Sequence, residues 1–170
     1  MAAQLTPKGL VDQGHGKYFA NLNQSYTITN GFGNTGLNFN SVYIPTGCTA
    51  VHFFFHSTLR EPASVHTCHV GFRMRVTGGH LSGDAYVGNA GWGFGITMPI
   101  RNGGHWAVVN QYANLMNFAN SGNQAGLQTG QSYNFHLQAK DSASNGIVLG
   151  GESNGTWYAY TPHHGVIIVG

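Results

Sequence analysis

Charge is what this sequence has least of. Only 7% of its 170 residues are Asp, Glu, Lys or Arg, against roughly a quarter in an ordinary soluble domain. Phosphate recognition requires clustered Lys and Arg. The seven basic residues are instead strung out from Lys8 to Lys140, with only Arg73 and Arg75 close together. At a net charge of +2 there is no electrostatic footprint for nucleic acid or an anionic membrane. Long apolar runs are missing too: none reaches the ~18 residues of a membrane-spanning helix. The opening MAAQLTPKGLVDQGHGKYFANL lacks the apolar core of a secretory signal, so synthesis in a cytoplasm is expected. Cysteine is limited to Cys48 and Cys68, for which two reduced thiols are expected over one bridge. Without a secretion signal, the Asn-X-Ser/Thr sites at Asn23 and Asn154 carry little weight.

Catalytic groups are equally sparse. The five acids, Asp12, Glu61, Asp84, Asp141 and Glu152, include no close pair, so a glycosidase-type pair would have to be assembled by the fold alone. There is no G-x-S-x-G elbow, no phosphate-cradling glycine loop and no H-E-x-x-H. Histidine is the exception, with ten copies, and HTCHV at 66–70 has the look of a metal site. On a strand, however, His66 and Cys68 share a face while His69 points away, and a tetrahedral site needs four converging ligands. His52 and His56 share a face but stand about 13 Å apart at roughly 3.3 Å per residue. The expectation is no enzyme, no cofactor and no metal.

What the sequence does have is period-two alternation. Cys68, Val70, Phe72, Met74 and Val76 fall on one face of a strand, and Thr67, His69, Gly71, Arg73 and Arg75 on the other. The same rhythm sets Trp92, Phe94, Ile96 and Met98 against three glycines. It also sets Tyr133, Phe135 and Leu137 against Asn134, His136 and Gln138. SVYIP and TAVHFFFHS are further β-rich runs, and HWAVVNQYANLMNFAN reads as a strand plus a connection, with a short helix as the alternative. Asn30-Gly31, Asn102-Gly103, Asn145-Gly146 and Asn154-Gly155 supply tight turns. Short strands, frequent turns and no α/β alternation predict an all-β sandwich or barrel.

Two segments depart from that pattern. Val166, Ile167, Ile168 and Val169 are apolar on both faces, which predicts a central strand covered on both sides. In a two-layer sandwich the second cover is expected from a neighbouring subunit, and a packed loop is the alternative. Residues 1–20 lack alternation and read as an extended arm ahead of a sandwich at 21–170. Leu5, Pro7, Leu10, Val11, Tyr18 and Phe19 are its candidate partner contacts. The run GTWYAYTPHH adds Trp157, Tyr158, Tyr160, His163 and His164 as candidate loop contacts, since exposed aromatics beside amides suit glycan or protein recognition.

The stretch LQTGQSYNFHLQAKDSASNGIVLGGESNGTWYAYTPHHGVIIVG resembles the C-terminal half of small jelly-roll domains of bacteriophage virion proteins, which are similar to the tumour-necrosis-factor-like trimer fold. SYTITNGFGNTGLNFNSVYIPTGCTAVHFFFHS looks like the opening strands of the same architecture, so the resemblance covers about residues 20–170. It implies a jelly-roll-like antiparallel β-sandwich with an N-terminal arm, a homotrimer packed around the C-terminal strand, and a place on the outer capsid surface of a virion. The role it implies is capsid decoration (cement), with the major capsid protein as partner. The alternative is a receptor- or glycan-binding knob of a tail fibre. The absence of a heptad run or repetitive shaft favours decoration.

Overall fold

Alternating residues become strands because each strand turns successive side chains to opposite faces, and this chain folds accordingly. A computed structural model describes residues 4–6, 9–11, 16–22, 24–60, 67–88, 93–94, 96–99, 106–118, 126–142, 146–150 and 163–170. The strands are β1 (Gln4–Thr6), β2 (Gly9–Val11), β3 (Gly16–Leu22), β4 (Tyr26–Thr27), β5 (Gly33–Ile44), β6 (Val51–Arg60) and β7 (Thr67–Gly78). They continue as β8 (Ala85–Val87), β9 (Ile96–Pro99), β10 (Trp106–Asn114), β11 (Gln131–Asp141), β12 (Val148–Leu149) and β13 (His163–Val169). Among the described residues there is no helix.

Two antiparallel sheets form the sandwich. The first runs β3–β13–β6–β10, and short β12 and β4 extend it beyond the end of β13. The second runs β5–β11–β7, with β9 and β8 sharing the far edge of β7. The longer strands alternate between sheets along the chain (β3, β5, β6, β7, then β10, β11, β13), which is the jelly-roll pattern. β1 and β2 form a separate hairpin.

The core lies between the sheets. Phe53, Phe55, Val51, Ile167 and Val169 come from the first sheet, and Phe39, Phe72, Met74, Tyr133 and Phe135 from the second. Rings meet across the gap, Phe39 edge-on to Phe53 at 6.0 Å in a geometry that aromatic quadrupoles favour, and Phe55 tilted against Phe72 at 5.5 Å. Val70, Phe72, Met74 and Val76 are all buried, as the alternation of β7 requires. β5 keeps its apolar face inward despite a bulge at Ser41, whose φ is 55°. The Ser41 N–H donates to Asn134 Oδ1 at 2.9 Å, and the register against β11 shifts there.

The 106–114 run is strand, not helix. Of the alternating stretch after Gly91, strand covers Ile96–Pro99; Phe94 lies in a bend, half-buried against the core, and Trp92 lies outside the described residues. Cys48 is a free thiol whose Sγ approaches the Ala50 carbonyl at 3.2 Å. The first sheet starts at Gly16, so Tyr18 and Phe19, read as arm residues, belong to β3 of that sheet, Tyr18 half-buried and Phe19 exposed on its outer face. Residues 17–21 pair with β13 throughout.

Candidate functional site

The C-terminal strand is central, with β3 on one side and β6 on the other. Ile167 and Val169 point inward and are fully buried, whereas Val166 and Ile168 point outward and are half-buried. The four residues expected at one interface are thus divided between the core and the outer face of the first sheet.

That outer face has order. In antiparallel pairing, residues directly opposite one another stand side by side on one face. The registers place Phe19, Val166, Phe54 and Tyr112 in one row across β3, β13, β6 and β10. Polar rows flank it, one of Lys17, Ile168, His52 and Asn114, the other of Asn21, His164, His56 and Asn110. Beyond the second polar row, Val108 stands beside Thr58. Phe19 is 72% exposed, Val108 65%, Tyr112 52% and Phe54 43%. Among the described residues, Tyr43, 47% exposed, is the large exposed apolar residue outside this face. Val166 is shorter than the Phe residues beside it, and a depression of about 330 Å³ opens there, lined by Phe19, Phe54, Val166, His56 and His164 among others.

The side chains on this face brace one another. Phe54 and Tyr112 pack with ring centroids 5.2 Å apart. His52 stacks on Tyr112 at 5.8 Å and is hydrogen-bonded through Nδ1 to its hydroxyl at 2.8 Å. In the other polar row, His56 Nδ1 donates to Asn110 Oδ1 and His164 Nδ1 to Asn21 Oδ1, both at 2.7 Å. The two imidazoles stack at 6.4 Å. Each bond spans two adjacent strands and fixes a ring that would otherwise rotate freely. The result is a stiff, nearly uncharged platform, with an apolar stripe between two polar borders.

Sequence reading named Phe19, Val166, Ile168 and His164, which lie on this face, but assigned them to an arm, a buried seam and a loop. Phe54, Tyr112, Val108 and Asn110 were missed, while His52 and His56 were read as sharing a strand face but weighed only as metal ligands. HFFFH at 52–56 carried a usable signal, since an uninterrupted apolar run hides two faces, and Phe54 is the member that points out. Trp157, Tyr158, Tyr160, Pro7 and His66 lie outside the described residues. Leu5, Leu10, Val11 and His163 are placed by their backbones alone, on β1, β2 and β13. His69 is exposed on β7. Among the described residues no three His, Cys, Asp or Glu side chains converge as a metal would require.

No protein-family model and no curated protein matches the chain. Among solved structures, chains from infectious bursal disease virus, Gt and Gx strains, are similar to it at 14% and 13% identity, each with a TM-score of 0.29. The likeness covers 99% and 100% of this chain but 40% and 41% of theirs, so the chain spans about two fifths of their length. A TM-score of 0.29 is too low to support an argument about fold or role.

Proposed function

We propose that this chain is a virion structural protein of the decoration type. It associates with copies of itself through the outer face of the first sheet and binds over coat-subunit junctions. The observation that carries self-association is the row Phe19–Val166–Phe54–Tyr112. Monomeric proteins seldom leave a braced apolar stripe open to water, and covering one large apolar side chain contributes about 1.5–3 kcal/mol before the losses of association. A neutral face also lets copies meet without charge repulsion. The virion setting and the three-fold state rest on the resemblance of residues 20–170 to phage jelly-roll domains. A trimer over a junction would add weak contacts through multivalency.

The test is solution mass by light scattering, with Phe54→Glu as the variant. Wild type should run near three times 18.2 kDa and Phe54→Glu as a folded monomer, because the variant places a charge in the middle of the row that association buries. A wild-type monomer would sink self-association. A trimer that fails to co-sediment with any coat shell would leave the fibre-knob alternative in its place.

A further inference from the structure

The second sheet turns a different surface outward. Asn34, Gln138 and Arg73 form one row, and Asn38, His136, Arg75 and Tyr86 form the next. Arg73, Arg75 and Lys140, three of the seven basic residues, belong to this face, with Asp84 as the acid beside them. Asp84 is committed: its Oδ2 lies 3.0 Å from Arg75 Nε and accepts from the Tyr86 hydroxyl at 3.4 Å.

Arg73 is held in place. Its Cζ sits 4.1 Å from the centre of the Phe32 ring and 4.0 Å from that of Tyr86, and its Nε donates to Gln138 Oε1 at 2.7 Å. Among the described residues nothing else hydrogen-bonds to it. The two Nη groups, the half of the guanidinium that can grip a carboxylate with two parallel bonds, have no hydrogen-bond partner among the described residues. Lys140 Nζ lies 5.0 Å from the same Phe32 ring, so a second positive charge is close by. A guanidinium stacked on two rings and tied at Nε has already lost its side-chain freedom and has little more to lose on binding.

We propose that Arg73 anchors a binding site for a carboxylate-bearing sugar on the outer face of the second sheet. A protein partner fits this face less well. Interface centres seat aromatic or Arg anchors in well-packed, desolvated pockets, and here Phe32 and Tyr86 are occupied by Arg73 while the neighbouring positions carry amides. Asn34, which is exposed, and His136, half-buried, offer hydrogen-bonding partners for sugar hydroxyls beside one fixed cation for the carboxylate, while Gln138 lies beneath Arg73 and holds it. The site requires neither self-association nor a coat shell, so it can fail or stand independently of the decoration reading.

The experiment is NMR titration of the full chain, following the arginine Nε–H signals, with four probes: N-acetylneuraminate, its methyl ester, acetate and a tetraglutamate peptide. The acid sugar should shift the Arg73 signal saturably. The ester lacks the charge and acetate lacks the hydroxyls, so each should bind at least about tenfold more weakly. Arg73→Lys keeps the charge but loses the two-pronged grip, and should weaken the acid sugar about tenfold. If that variant melts early, the wild-type signal decides alone. An unmoved Arg73 signal, acetate binding as well as the sugar, or tetraglutamate binding more tightly than the sugar would each overturn the assignment.

Discussion

His136 shows how one residue can make the fold sensitive to acid. Its Nδ1 donates to Asn38 Oδ1 at 2.8 Å. Burial pushes the ring below the ordinary imidazole value of 6.5, Arg75 pushes in the same direction, and Asp84 opposes both. The folded chain therefore favours the neutral ring. Below pH 6.5 the unfolded chain binds more protons than the folded one, so stability falls with pH. The contribution is complete above 6.5 and is lost progressively as pH drops from there through the lowered folded value. Urea denaturation over a pH series should show that slope in wild type and a shallower one in His136→Gln. Identical slopes would mean that the ring is already free to charge in the native state. Nothing in the sequence announced this. Alternation put His136 outward, next to Gln138, but not Arg75 beside it, because the neighbouring strand is a matter of topology. Gln138 was also read as outward, and it is, yet only 7% of it is exposed, because Arg73 lies across it.

Among the elements, β13 has little room for change at its glycine. Gly165 pairs with Ala20 on one side and Phe55 on the other. A Cβ placed there would come within 2.7 Å of Phe39 Cζ and 2.8 Å of Leu37 Cδ2, from the opposite sheet. Gly165→Ala should lower the urea midpoint, and Gly165→Val should cost about 1–3 kcal/mol, since a packed core absorbs added volume poorly. Phe39→Leu frees part of that space, so the pair Phe39→Leu and Gly165→Ala should cost less than the sum of the single changes. Simple additivity would show that the sheets can separate at that point. The strand itself was legible from GVIIVG, and so was its central position. What the sequence could not supply was the cover for Val166. In this sheet part of that cover comes from Phe19 and Phe54, one strand away on either side. β5 shows a second limit: its bulge at Ser41 lets inward residues keep facing inward through a register shift, which a strict alternation count would misassign.

For the molecule as a whole, the contrast between its two outer faces matters most. One is an apolar stripe between polar borders and nearly uncharged, the other polar, with most of its charge on fixed side chains. The amino-terminal boundary bears on the decoration reading directly. β3 closes the first sheet from Gly16 onward, so deleting residues 1–15 should preserve the sandwich and its self-association while removing shell binding. Deleting through residue 22 should expose the edge of β13 and cause aggregation. Light scattering with co-sedimentation reads both outcomes, and a shell that still binds the shorter deletion would end any role for the arm. Composition alone pointed away from nucleic acid. Which face would be used depended on strand order, which in a sandwich is set by contacts far apart in the chain.

The aromatic row also determines how this protein can be detected. Residues 19, 54, 112 and 166 become neighbours only through four paired strands, so no linear peptide cut from the chain carries that surface. An antibody raised against it would be blind to denatured protein on a blot and would compete with any subunit covering the face. Such a reagent would report folded, unassembled protein and go dark as assembly proceeds.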